Sequence, residues 1–303
     1  MWAARSLGGV SASRARAMIM VFMFFLGVGG ASAKADRLLV VSGSFGSVAA
    51  ENANNRKLAL EAVRSVRRDS RKYLMVSGVK FQFRDHDIAA QTKSLPIDVD
   101  AIPFSWKFPE GRDLSPEAEG VLIGLIRHEL GHQVFLRRVL PPSQGGQYGS
   151  DAPDWLDESA AIVMESPRMK NDRRVLARLL ARQNMLVPLS EFLVMRHPEA
   201  GKGAAQRLAD VPNAIFMSSD PARTLAFYSQ CQAFTDFLLS KTGETDILRQ
   251  LADAVARQED YVDVVRRKLG ISKSKDSMHV LNARFLSWVE DEKVIDHSVQ
   301  FTK

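Results

Sequence analysis

Apolar and polar positions change their period several times along this chain, and each change marks an element. Leu38-Leu39-Val40-Val41 is a continuous apolar run followed by Ser42-Gly43-Ser44-Phe45-Gly46, which predicts a short strand and a turn. From Glu51 to about Tyr73, Leu58, Leu60, Ala62, Val63 and Val66 recur near the helical period among seven arginines and lysines, so a helix with a solvated basic face is expected. After Gly78 the period drops to two, with Val79, Phe81 and Phe83 alternating with Lys80, Gln82 and Arg84. A second extended piece, about Ile97 to Phe108, is bounded and interrupted by Pro96, Pro103 and Pro109, which suits an edge strand. Ser115-Pro116-Glu117 then supplies a helix start, with a serine cap, proline at the first helical position and an acid against the dipole. That helix is expected to run to Leu140, where Pro141-Pro142 stops it. Beyond it, helical periodicity holds over about Pro153 to Glu165, Leu176 to Met185, Pro221 to Thr242, Glu244 to Leu269 and Ser277 to Asp291. The fold class is therefore α+β and mostly helical: a small strand-containing layer over residues 34–113, followed by a helical domain over 114–303.

Residues 1–33 follow another logic. Arg5, Arg14 and Arg16 precede the apolar run Met18 to Val28, which ends in Gly29-Gly30 and Ala31-Ser32-Ala33, the layout of a secretory signal peptide. The run is too short to span a bilayer comfortably, so the mature chain is expected to begin near Lys34, without a stable transmembrane segment, in the periplasm or outside the cell. Removing this segment takes three arginines and no carboxylate from 41 basic and 35 acidic residues, and the formal charge falls from +6 to +3. With so weak a positive balance and no basic-aromatic cluster, nucleic acid is not an expected partner. The single cysteine, Cys231, lies in an apolar helical pattern and reads as a buried, inert thiol; the fold depends on its core, not on disulfides.

The candidate chemistry lies in His128-Glu129-Leu130-Gly131-His132. Residues four apart share a helix face, so His128 and His132 can offer two imidazoles to one zinc ion while Glu129 projects beside it as a general base. A catalytic zinc takes three protein ligands and leaves one position open. A histidine six residues after His132 would be one solution, but Arg138 stands there, and Cys231 is isolated. A glutamate from a second helix is another, and Asp154-Trp155-Leu156-Asp157-Glu158 offers one after 25 intervening residues that include a Gly-rich turn. Asp154 and Asp157 read as complements to the positive end of that helix, with Glu158 as the ligand. His86, between Asp85 and Asp87, reads as an exposed loop histidine, and His279 and His297 as surface residues.

The pair of motifs, His128 to His132 and Trp155-Leu156-Asp157-Glu158-Ser159-Ala160, resembles the gluzincin zinc metallopeptidases, specifically exported peptidase-MA-like proteins with a second motif Trp-Leu-x-Glu-Gly-x-Ala. Ser159 stands where that pattern has glycine. The resemblance continues through Val187-Pro188-Leu189-Ser190-Glu191-Phe192, Tyr228-Ser229-Gln230 and the helix Leu281 to Trp288, and covers about residues 114–288. It implies that Glu158 is the third zinc ligand and that a peptide or protein is the substrate. It also implies a downstream oxyanion donor, for which Tyr228 is the candidate and Tyr148 and His197 are rivals. The Gly-x-Met-Glu-Asn element of the clan's large aminopeptidases is absent before His128, so endopeptidase activity is the expectation. The competing expectation is a noncatalytic envelope protein that keeps the metallopeptidase fold as a binding or structural module. Glu129 favours the enzyme, because a structural metal site has no use for an acid-base group beside its ligands.

Overall fold

The computed structural model describes residues 39–86, 98–109, 114–143, 150–198 and 221–291. The expected signal peptide, Tyr148 and His297 lie outside the described residues. The architecture is α+β and mostly helical, as the periodicity implies: one four-stranded sheet on the N-terminal side, then helices.

Strands β1 (Leu39–Gly43) and β2 (Gly46–Ala50) form an antiparallel hairpin. Gly46 turns it at φ 97°, and a Cβ there would run into the backbone of Phe81. The sequence reading had a turn and then a helix here, and β2 is the addition. Its small residues carry no alternation, and it earns its place by pairing in parallel with β3 (Phe81–Asp85), which in turn pairs in parallel with β4 (Ile102–Trp106). Helix α1 (Ala53–Tyr73) makes the crossover and turns buried Leu58, Ala59, Ala62, Val63 and Val66 inward. β4 is an edge strand, as its prolines predict, and β1 is the other edge. The Ile102 amide donates to the Lys80 carbonyl, and Pro103, next along, is exposed where no amide hydrogen is needed.

Helix α2 (Pro116–Val134) carries the two-histidine motif. The Ser115 hydroxyl accepts from the Ala118 amide, and Pro116 opens the first turn. The chain continues to Val139 as one π-helical turn closed by Leu140 N–H on the Phe135 carbonyl, so the segment reaches the expected end with a changed last turn. α3 (Asp154–Ile162), α4 (Pro167–Arg182), α5 (Leu189–Phe192) and α6 (Pro221–Thr242) follow. α4 starts nine residues before the expected Leu176, on a second Ser-Pro start in which Ser166 caps and Pro167 leads. The single helix expected over Glu244 to Leu269 is two, α7 (Ile247–Ala256) and α8 (Tyr261–Lys268), because Gln258 takes φ 58° and Asp260 caps the restart. α9 (Ser277–Glu290) closes the described chain.

A continuous set of buried apolar side chains runs from Phe45 to Val289, so sheet and helices share one core. In the helical part Trp155 of α3 meets Phe234 of α6 edge-on at 5.3 Å, and Phe234 meets Phe285 of α9 at 5.5 Å. These contacts lock α3 in depth, directly beside its acidic residues. Arg127 of α2 is tied to Asp69 of α1 by a buried 2.7 Å ion pair, which fixes the motif helix against the sheet layer. Cys231 is fully buried, as expected, and burial pushes its thiol well above the usual range. His279 is exposed, whereas His86 is half-buried at the end of β3 and not in an exposed loop.

Candidate metal centre

Two helices meet at the site, and a glycine decides how closely. A Cβ on Gly131 would lie 2.9 Å from the Ala161 Cα and 3.0 Å from Met164 Cγ, so the glycine inside the motif is where α3 presses against α2. Gly131→Ala is therefore expected to cost about 1–3 kcal/mol by overpacking, read as a lower urea midpoint, and to weaken metal binding by wedging Glu158 away from the histidines. An unchanged midpoint would remove this account of Gly131.

The close approach brings His128, His132 and Glu158 together, with one donor atom from each lying within 4.8 Å of the others. The two Nε2 atoms are 3.1 Å apart, and they lie 3.4 Å (His128) and 3.5 Å (His132) from Oε2 of Glu158. Ligands at ~2.0–2.1 Å from a tetrahedral ion are separated by about 3.3 Å, so this triangle has the size of one coordination face. Oε2 of Glu158 is buried with no hydrogen-bond donor, which is the state a metal ligand would have before its ion arrives. The three residues fit a metal ion.

The far nitrogens of both rings are also held. His132 Nδ1 donates to Oδ1 of Asp157 at 2.9 Å, and Oδ2 of the same carboxylate accepts from the Ser150 amide. His128 Nδ1 donates to Oε1 of Glu165 at 2.8 Å, and Arg173 forks onto both Glu165 oxygens at 2.8 and 2.6 Å. A carboxylate behind each imidazole keeps a proton on Nδ1 and turns Nε2 toward the shared centre. Asp154 and Asp157 both lie in the first turn of α3, as their reading as helix-end complements expects, and each has a further partner. Asp157 orients His132, and Asp154 accepts from the His197 amide. α3 itself begins at Pro153 with no side-chain cap.

The charges converge on a demand for a cation. Burial works against a charged His128, but Glu158 and Glu165 outweigh it and push its pKa up to about 9. His132 is likewise raised against burial by Glu158 and Asp157. Burial would raise Glu158, yet the two histidines hold it well below the usual carboxylate range. Glu165, fully buried, is held at about 2 against burial by Arg173 and His128. Three carboxylates thus surround two imidazoles, Arg173 offsets the charge of Glu165, and the remaining negative charge favours a cation at the shared point.

Glu129 is exposed between buried His128 and Leu130, with access to solvent. Tyr228, on α6, places its hydroxyl 3.1 Å from Nε2 of buried His197, and that nitrogen lies 3.8 Å from Oε1 of Glu158. Two of the three candidate donors, His197 and Tyr228, are therefore neighbours beside Glu158. The sequence reading missed Glu165 and Arg173. The available signal was a carboxylate seven residues beyond Glu158, directly after the apolar run Ala160 to Met164.

The chain matches no family model, no curated protein and no solved structure. Among the described residues, no helix is long and apolar enough to cross a membrane.

Proposed function

We propose that this chain is an exported zinc metallopeptidase of the gluzincin kind, working as an endopeptidase in the periplasm or outside the cell. The observation that carries this reading is the convergence of His128 Nε2, His132 Nε2 and Glu158 Oε2 on one point, with Glu129 exposed on the same helix. Two neutral histidines and one carboxylate leave a zinc site with formal charge +1. Bound there, zinc supplies Lewis acidity, which lowers the pKa of a water molecule and polarises the scissile carbonyl. Glu129 accepts the proton of the attacking water and delivers it to the leaving amine. The hydroxyl of Tyr228, oriented by His197, donates to the oxygen on which negative charge develops. Asp157 and Glu165 keep the ring protons on Nδ1 of His132 and His128 while this proceeds.

The experiment is cleavage of a mixed peptide library by the purified mature chain, with metal content measured on the same sample. One zinc per chain is expected, with internal peptide bonds cut. Cleavage is expected to stop with a chelator and to return with added zinc. Stoichiometric zinc without cleavage over a range of pH and peptide composition would leave a noncatalytic metal-binding module in the enzyme's place.

A further inference from the structure

Arg173 touches both Glu165, which stands behind His128, and the ring of Tyr228. Its guanidinium takes up both oxygens of Glu165, of which Oε1 also meets Nδ1 of His128 at 2.8 Å. Its carbon also lies 4.8 Å over the ring of Tyr228, the residue whose hydroxyl reaches His197. The rings of His128 and Tyr228 are themselves 6.0 Å apart, so Arg173, Glu165, His128 and Tyr228 form a closed set of contacts.

We infer that Arg173 is a positioning residue that sets two things at once: through Glu165, the orientation of the His128 ring, and through its own face, the placement of the Tyr228 ring. The inference rests on the metal-site reading. Glu165 is fully buried, and an unpartnered carboxylate could rotate away from His128; the fork on both oxygens prevents this. A planar guanidinium can form that fork in its own plane and present its face to an aromatic ring, and an ammonium cannot do both.

The test uses the full mature chain, stripped of metal, and titrates Zn2+ alone against a chromophoric chelator. Arg173→Met is expected to weaken zinc binding about 10–100-fold, the range typical of losing a partner behind a ligating histidine. Arg173→Lys is expected to recover only part of that loss. Because Arg173→Met strands a buried carboxylate, the double variant Glu165→Gln/Arg173→Met provides the folded control, with both charges removed together. It should bind zinc no more weakly than Glu165→Gln alone, since Arg173 acts on the metal through Glu165. The visible bands of the Co2+-loaded protein should shift in Arg173→Met, and the Tyr228 ring resonance, assigned by its loss in Tyr228→Phe, should move as well. Wild-type zinc affinity in Arg173→Met, additive losses in the double variant, or a Tyr228 resonance that stays in place would each overturn the inference. Those outcomes leave the metal site standing. A wild-type chain that binds no zinc would instead remove the site and this inference with it.

Discussion

Glu129→Gln is expected to lower the turnover number for peptide hydrolysis about 10²–10⁴-fold while the protein keeps one zinc, because the change would remove the proposed proton acceptor and leave the three proposed ligands in place. The amide has the shape of the carboxylate but cannot take a proton from water at neutral pH. Glu129 is exposed and is not part of the His128, His132 and Glu158 group, so zinc stoichiometry should hold and unfolding free energy should change by no more than about 0.5 kcal/mol. Steady-state kinetics on a peptide taken from the library, with metal analysis of the same preparation, reads both quantities. Undiminished turnover in the variant would place the general base on another residue.

Glu158→Ala is expected to lose more zinc affinity than any change behind the histidines, well beyond the ~10–100-fold typical of outer partners. Glu158 is the only carboxylate in the three-residue group, and its Oε2 has no hydrogen bond to give up in exchange for a metal. Asp157 and Glu165 cannot take its place, since each is already engaged with a ring nitrogen on the far side of its histidine. Chelator competition on Glu158→Ala and on isosteric Glu158→Gln should give weak binding in both. Near wild-type affinity in either variant would mean that another group closes the coordination, and Glu158 would become an orienting residue.

The grouping of His128, His132 and Glu158 was legible in the sequence. Two histidines four apart with a glutamate between them declare a shared helix face without any knowledge of the fold. Glu158 was legible because it sits in a motif of its own at a distance that lets a second helix return. For Glu165 and Arg173 the sequence offers only a lone carboxylate after an apolar run, which does not name a partner. Their meeting depends on α3 stopping at Ile162 and α4 restarting at Ser166-Pro167, and the turn between them is a geometric fact that no residue period encodes. Asp157 shows the same limit from the other side: an acid in a first helical turn complements the dipole in any fold, and only the arrival of His132 opposite gives it another task. In the sheet, β3 and the edge position of β4 followed from alternation and prolines. β2 did not, because its parallel partner lies across α1 and its own residues are small. The break between α7 and α8 was hidden because no glycine or proline lies between Ala256 and Tyr261, and Gln258 adopts the left-handed conformation instead.

The most direct test of the zinc site is X-ray absorption at the zinc edge of the reconstituted full-length mature protein. Two imidazole nitrogens at ~2.0–2.1 Å, accompanied by oxygen from Glu158 and from one water, are the expected ligands. A sulfur at ~2.3 Å, which would bring in Cys231, or a spectrum without imidazole scattering, would contradict it.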